Sequence, residues 1–267
     1  MPDALLRAKL ALEDELIAKL WKALRRYVNE RVRVKHMGTF RAVAWTRHME
    51  GLLEGHYARV ALICTGRDCP AKPTLAEAAL SIPHLERMKN RARKQADLIL
   101  RGVDRLCHAA DQPEVPQAKA LETKGIAKRF TDKAKEVLGK VWGKLRGIAN
   151  NNTNPPAEEA RMEDVRRRAG NRQLMKRWST MQDNRVRDWH EAAESQTRPV
   201  NDAFSVGGEQ LMFPGDDSLG ASLRNLINCR CCVLWIARAA DGTEEELGAT
   251  VRAHITIDEQ GRRRWRH

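Results

Sequence analysis

Hydrophobic residues recur at spacings of three and four along the first half of the chain, which is the pattern of amphipathic helices. Such stripes run through residues 4–34, 40–64, 85–110 and 118–148. The third stripe is the most regular and consists of Leu85, Met88, Ala92, Ala96, Ile99, Val103, Leu106 and Ala110. We therefore predict four long helices, each with one face turned toward a shared core.

Two local signals refine this helical prediction. Thr74 and Glu77 have the spacing of a capping box, so a short helix should begin after Thr74, and Pro83 should end it. His56 lies on the apolar stripe of the second helix. We interpret it as a core histidine with a hydrogen-bond partner rather than as a metal ligand.

The pattern changes in the last third of the chain. Residues 203–206 and 209–213 flank Gly207-Gly208, which predicts a β-hairpin, and residues 227–236 and 251–257 read as strands. Read as a helix, residues 178–190 place Asp183, Arg187 and His190 on one face. The predicted fold class is mainly α, with long amphipathic helices followed by a β-hairpin and short strands in a small α+β C-terminal module.

Two polar, proline-containing stretches predict where the chain divides. Residues 111–117 read as a linker, and residues 150–156 are the best candidate for a domain boundary. We therefore predict an N-terminal helical domain over 1–110, a basic helix with flanking linkers over 111–154, and the α+β module over 155–267.

The charge balance points to a polyanionic partner. The formal net charge is +13 and the pI is about 9.8, which is typical of proteins that bind nucleic acid. The basic residues cluster on the third and fourth helices and on the run after residue 165, and the alternative is a solvated helix face. The candidate DNA-binding residues are Arg87, Arg91, Lys94, Arg101, Arg105, Lys128, Lys135, Arg166, Arg167 and Arg168.

Cysteine usage and hydropathy limit the cellular compartments in which we expect the protein. Six cysteines follow no regular framework, so we expect a reducing cytoplasm rather than a disulfide-stapled secreted domain. No apolar run approaches the roughly 20 residues needed to cross a bilayer. We expect a protein that is soluble or held by other proteins.

One cluster of residues has the chemistry of a metal site. In a strand, Cys229 and Cys231 face the same side and Cys232 faces the other. With His190 the two thiols offer the ligand types that zinc prefers. One hypothesis is a structural zinc with Cys232 or an aspartate as the fourth ligand. The alternative is a pair of small buried thiols beside a histidine that is salt-bridged to Asp183.

A series of short motifs carries a family resemblance over roughly residues 160–236. The order is W-S-T-M-x-D-x-R-V-R-x-x-H, an aromatic before Gly-Gly, then P-G-D, then I-N-C-R-C. This order resembles the phage head morphogenesis family, the minor head proteins similar to protein F of phage Mu. The motif residues are Trp178, Asp183, Arg185, Arg187, His190, Pro214, Gly215, Asp216, Asn228, Cys229, Arg230 and Cys231.

The resemblance implies a non-enzymatic minor head protein. Its expected partners are the phage portal protein, capsid or scaffold proteins and double-stranded DNA bound without sequence preference. It would act in the host cytoplasm during assembly and remain in the virion, inside the capsid near the portal. Two alternatives stay open, namely a metal-dependent enzyme that processes nucleic acid through His190, Cys229 and Cys231, and a plain DNA-binding module.

Overall fold

The structure is a computed structural model that describes residues 3–33, 39–109, 123–248, 254–257 and 263–266. Its helices are α1 (Asp3–Arg33), α2 (Thr39–Cys64), α3 (Leu75–Ala78), α4 (Ile82–Ala109), α5 (Thr123–Ala169), α6 (Asp188–Glu191) and α7 (Leu223–Leu226). Its strands are β1 (Gln173–Ser179), β2 (Thr197–Pro199), β3 (Phe204–Val206), β4 (Glu209–Leu211), β5 (Cys232–Arg238), β6 (Glu244–Glu246), β7 (His254–Ile257) and β8 (Arg263–Arg266). The predicted fold class is confirmed.

The four long helices pack around one hydrophobic core, as their stripes predict. Leu20 and Leu24 of α1 meet Leu53 of α2, Met88 of α4 and Val137 of α5 in a single buried cluster. None of the helices in the described part of the chain is both long and apolar enough to pass through a membrane.

The short helix α3 confirms the predicted capping box. The Thr74 hydroxyl accepts from the backbone N–H of Glu77, and the Glu77 carboxylate accepts from the backbone N–H of Thr74. The prediction for Pro83 is wrong, because α3 ends before it at Ala78 and Pro83 lies in the first turn of α4. A first-turn N–H has no partner inside the helix, so proline is tolerated there.

The fourth helix is longer than predicted, and it runs through the predicted boundary at residues 150–156. Helix α5 continues to Ala169, with Pro155 and Pro156 inside it. Polar side chains in this stretch are buried and bonded across to other helices: Tyr57 donates to Asn152 (2.5 Å), and His56 bonds Thr153 (3.0 Å). A polar, proline-ended run is therefore not a linker here, because neighbouring elements supply the partners that water would supply to a loop.

The helical position of residues 150–156 bears on the predicted domain limits. The boundary at 154/155 lies within one continuous helix, α5. The boundary at 110/111 and the linker 111–117 lie outside the described residues. The division of the chain into three parts stays a prediction.

A four-stranded antiparallel sheet, with strand order β2-β1-β5-β6, forms the centre of the C-terminal module. Strands β1 and β5 pair along their whole length, with Trp178 opposite Val233 and Ser179 opposite Cys232. The hairpins β3–β4 and β7–β8 are separate two-stranded ribbons. The hairpin predicted around Gly207-Gly208 is confirmed.

The two faces of this sheet differ in their surroundings. Trp178, Val233 and Trp235 face the module's own core, together with Phe204 and Leu211 of the hairpin. Because strand residues alternate, Cys232 points to the opposite face, toward the buried Glu158 on α5. The core that contains Trp178 also includes Met162, Val165 and Ala169 of α5, so α5 contributes to it together with the hairpin.

The helix predicted over residues 178–190 is wrong. Trp178 and Ser179 end strand β1, a turn follows, and helix begins again only at Asp188. The Asp183 carboxylate accepts from the backbone N–H of Arg185 at 3.0 Å, and Gln182 has a positive φ of 52°. Side chains such as aspartate compete with the helical backbone for its own N–H groups, and here that local bond forms instead of helix.

Residue His56 should make the protein sensitive to acid. Burial, together with the nearby cations Lys19 and Arg59, lowers the pKa of His56 to about 3 from an ordinary 6.5. The unfolded chain takes up this proton near pH 6.5 and the folded chain does not, so stability is complete above pH 6.5 and falls as the pH drops toward 3. We expect His56→Gln to recover about 2–3 kcal/mol of that loss at pH 4.5.

The measurement is urea denaturation at pH 7.5 and pH 4.5. His48→Gln is the matched control, since His48 lies on the same helix and is exposed. If the free energy of unfolding falls equally between pH 7.5 and pH 4.5 in the wild type and in His56→Gln, then His56 is not responsible for the loss.

Candidate functional site

The family-like motifs converge on one buried site in the C-terminal module. Helix α6 supplies His190, and the segment that leads into β5 supplies Cys229 and Cys231. The imidazole Nδ1 lies 3.7 Å from the Sγ of Cys229 and 3.5 Å from the Sγ of Cys231. The three residues are between 1 and 3% exposed, so the cluster is closed to solvent. The structure therefore brings His190, Cys229 and Cys231 together, as predicted.

Asn225 of α7 orients the histidine, and sequence reasoning did not select it. Its side-chain amide nitrogen donates to the Val206 carbonyl (3.2 Å) and to the Glu209 carboxylate (2.6 Å). The amide oxygen therefore faces the other way, where it bonds His190 Nε2 (3.2 Å) and accepts from Trp189 Nε1 (2.6 Å). No motif pointed to this asparagine, because its role depends on groups that only the fold brings together.

The third cysteine of the run belongs to different surroundings. Cys232 faces α5, where burial raises the pKa of its thiol to about 11, with Glu158 contributing. It is fully buried on that face of the sheet. Because side chains alternate along a strand, Cys232 points away from His190 and cannot be a ligand beside it. This agrees with the sequence, which predicts that Cys232 faces the other side from Cys229 and Cys231.

The two thiols that face His190 differ in acidity. The hydrogen bond from Cys231 holds the pKa of Cys229 well below its usual range, and His190 adds to this effect while burial opposes it. The pKa of Cys231 is raised, because it shares that hydrogen bond with Cys229 and is itself buried.

Aromatic side chains enclose the cluster. The ring of Trp178 stands edge-on to His190, with ring centroids 5.6 Å apart, and to Phe204 at 5.3 Å. Lys176 lies 4.9 Å from the centre of the Phe204 ring and donates to the Met212 carbonyl at 2.7 Å. Burial lowers the pKa of Lys176 to about 8. These rings pack around the imidazole and hold it in one orientation.

The charged motif residues form structural contacts, though not from one helix face as predicted. Asp183 accepts two hydrogen bonds of 2.6 Å from Arg230, and this pairing lowers the pKa of Asp183 to about 2. Arg187 donates to the carbonyl of Ile227. Arg185 is exposed and lies 3.8 Å from Asp183. Asp183 thus pairs with Arg230 rather than with His190, and together these contacts fix the cysteine-bearing segment.

The P-G-D motif forms the loop that joins the module to α5. Asp216 is buried and accepts from the backbone N–H of Met212 and of Ser218, at 3.0 Å each. Gly215 has a φ of +83° and lies against the ring of Pro155. Glycine is the residue that reaches this backbone conformation without strain and leaves room for the proline.

Asn154 on α5 contacts three segments of the module at once. Its side-chain amide nitrogen points at the carbonyls of Pro214, Cys229 and Cys231, at 3.5, 3.3 and 3.5 Å. Asn228, between Ile227 and Cys229, has a positive φ of 54°, so the chain turns there between α7 and the two cysteines. The motif segments are therefore tied to α5 as well as to each other.

The basic ridge predicted on α4 is largely engaged with acids of this protein. Arg91 lies 3.5 Å and Lys94 lies 2.8 Å from Asp217, next to the P-G-D motif. Arg87 pairs with Glu159 and Glu163 of α5. This part of the ridge holds α4 against α5 and the module. Arg87, Arg91 and Lys94, which we predicted to contact DNA, therefore have a structural role.

The remaining DNA-binding candidates lie on exposed helix surfaces. Arg101 pairs with Asp97 one turn away on α4, and Arg105 is exposed further along it. Lys135 is exposed on α5 and lies 3.9 Å from Asp132. Arg166, Arg167 and Arg168 are exposed near the end of α5 and form ion pairs with Glu163 or Asp164. The side chain of Lys128 lies outside the described residues.

The close fit of the P-G-D loop on α5 leads to a prediction for Gly215→Ala. A Cβ at this position would lie 3.1 Å from Cγ of Pro155, whose ring cannot rotate away, and φ is positive. Gly220→Ala is the matched control, with a similar φ of +79° and open space around the added carbon.

We expect Gly220→Ala to cost about 1 kcal/mol in the free energy of unfolding. Gly215→Ala should cost roughly 1–3 kcal/mol more, through overpacking. Urea denaturation measures both. Equal losses for the two variants would mean that the loop does not press on α5.

Comparisons with known proteins find one relationship. No curated protein and no solved structure matches the chain. The model of the family described as phage Mu protein F like protein matches residues 118–234, which include α5, the motif segments and the first three residues of β5. This match confirms the resemblance carried by the motifs: over residues 118–234 the chain is similar to the phage Mu protein F-like family.

Proposed function

We propose that the protein is a bacteriophage minor head protein that acts in head morphogenesis without catalysing a reaction. The observation that carries this proposal is the family match over residues 118–234. The matched segment includes every motif residue of the buried site from Trp178 to Cys231. The part of the chain that resembles phage Mu protein F is therefore also the part that builds the site.

The form of the site supports a structural role over a catalytic one. His190, Cys229 and Cys231 are the reactive groups of the module, and all three are buried. A substrate would reach them only after Trp178 or the segment around Arg230 had moved. The Asp183–Arg230 pair and the Arg187 contact with the Ile227 carbonyl hold that segment closed.

The finer part of the proposal concerns place and partners. We place the protein inside the capsid near the portal, in contact with the portal protein and with capsid or scaffold proteins. The support is the family resemblance, together with a net charge of +13 that suits a compartment filled with DNA. During assembly the protein would be in the host cytoplasm.

The proposed DNA contact rests on the exposed cations rather than on the whole basic ridge. Arg101, Arg105 and Lys135 are exposed on α4 and α5, and their partners within the described residues are at most acids one turn away. Exposed ion pairs of this kind contribute little, so a phosphate can compete for the cation. Arg87, Arg91 and Lys94 are held by acids from other elements. Contact with DNA phosphates through the first group needs no base recognition.

We predict salt-sensitive binding to double-stranded DNA of any sequence. The affinity should fall steeply between 50 and 200 mM salt, because each neutralised phosphate releases counterions. The triple variant Arg101→Gln, Arg105→Gln and Lys135→Gln should weaken binding about tenfold or more. The slope of the logarithm of the affinity against the logarithm of the salt concentration should become shallower, by the amount that corresponds to roughly two to three phosphate contacts. Fluorescence anisotropy with two unrelated duplexes measures this.

A matched control comes from the part of the α4 ridge whose cations pair with acids of other elements. Arg91→Gln and Lys94→Gln remove two charges from the same helix, but charges that already contact Asp217. This pair should change the affinity less than the triple variant does. An affinity that does not vary with salt, or a larger loss from the control pair, would contradict the proposed contact surface.

The proposed head function is tested by co-purification and by analysis of particles. The full chain is produced together with the portal protein encoded in the same phage genome, with or without the major capsid protein. We expect it to copurify with the portal and to be present in proheads in fewer copies than the major capsid protein. Absence from proheads and failure to copurify with the portal would overturn the proposal, even if DNA binding were found.

A further inference from the structure

We propose that His190, Cys229 and Cys231 bind a structural zinc ion. One ligand atom from each residue lies within 4.8 Å of the others. The two N···S separations are 3.5 and 3.7 Å. In a tetrahedral zinc site with ordinary bond lengths, a nitrogen and a sulfur ligand are about 3.6 Å apart. The three side chains are thus spaced as zinc requires, without a change in the fold.

The hydrogen bonds of the histidine leave the correct nitrogen free for a metal. The Asn225 amide nitrogen is committed to Val206 and Glu209, so the amide oxygen must face His190 Nε2. A carbonyl oxygen accepts, and Nε2 therefore carries the proton. The lone pair of the neutral imidazole is then on Nδ1, the nitrogen that faces both thiols. A metal-binding histidine characteristically donates its other N–H in this way.

The backbone also holds the two cysteines in a shared orientation. Asn154 contacts the carbonyls of Cys229 and Cys231, at 3.3 and 3.5 Å, so both peptide groups face α5. Both thiols lie on the other side, beside the imidazole. A pair of cysteines separated by one residue is placed for a single ion only in this extended arrangement.

The charge and chemistry of the cluster select the metal. Two thiolates and a neutral imidazole around Zn²⁺ give no net charge, which suits a buried site in which an isolated charge would be costly. Thiolate ligands exclude the hard cations Mg²⁺ and Ca²⁺. The nearby guanidinium of Arg230 is neutralised by Asp183, so it does not oppose a cation at the cluster.

A small cavity lies beside the cluster. His190 and Cys231 form part of its wall, with Met181, Val186 and Arg187. Within the described residues, the cluster contains no fourth histidine, cysteine or acidic ligand. A water molecule in this cavity would complete the tetrahedron. The ion would connect α6 to the segment before β5, an arrangement otherwise held by Asn225, Asp183 and Arg187.

Metal analysis of the full chain tests the proposal directly. The protein is purified under reducing conditions, without chelators or metal-affinity resin, and its zinc content is measured by mass spectrometry. We expect one zinc ion per chain. The protein stripped of metal and reloaded with Co²⁺ should show the strong visible absorption of a tetrahedral thiolate site. No stoichiometric zinc, together with no such spectrum in folded protein, would overturn the proposal.

Variants then identify the ligands. Cys229→Ser and Cys231→Ser should each lose most of the bound zinc, and Cys231→His should keep it because imidazole is also a zinc ligand. Cys232→Ser is the matched control, since it is adjacent in sequence but faces α5. Zinc loss from the control equal to that from Cys229→Ser would point to general unfolding or to a different site. Circular dichroism of each variant separates a folded chain without zinc from an unfolded one, and the wild-type result stands even if a variant does not fold.

Discussion

The structure depends on one buried polar segment of α5, from Asn150 to Glu158. Lys9 of α1 donates to Asn154 (2.6 Å) and to Glu158 (2.5 Å), and Arg161 holds the other side of the Glu158 carboxylate at 2.9 Å. None of these charges is exposed to an appreciable extent. A buried carboxylate with two cationic partners is tolerated because its hydrogen bonds replace those of water, and the loss of one partner would leave an uncompensated charge.

The same segment joins the helices to the C-terminal module. Asn154 accepts from Lys9 through its oxygen and contacts the Cys229 and Cys231 carbonyls through its nitrogen. One side chain therefore relates the position of α1 to the backbone of the candidate metal site. The module's sheet continues this arrangement, since Cys232 faces α5 and the adjacent Cys231 faces His190.

The distribution of charge explains how a strongly basic chain uses its cations. Part of the positive charge is structural: Arg91 and Lys94 meet Asp217, Arg87 meets acids of α5, and Arg230 meets Asp183. These contacts connect elements far apart in sequence. The excess that remains on exposed surfaces is what a polyanion would encounter, and it is the basis of the proposed DNA contact. A count of basic residues along a helix does not separate these two groups.

The sequence by itself determined the long helices, the hairpin at Gly207-Gly208, the capping box at Thr74 and the family motifs, because each depends on residues that are close along the chain. It also predicted that Cys229 and Cys231 share a side, although the strand predicted from residue 227 begins only at Cys232. Only the tertiary structure decided that residues 150–156 are helical and that Trp178 belongs to a strand. It alone revealed that Asp183 pairs with Arg230 and that Asn225 orients His190. A polar side chain can form its hydrogen bonds with its own neighbours in sequence or with a distant partner. Which of the two occurs depends on the groups that tertiary packing brings within hydrogen-bonding distance.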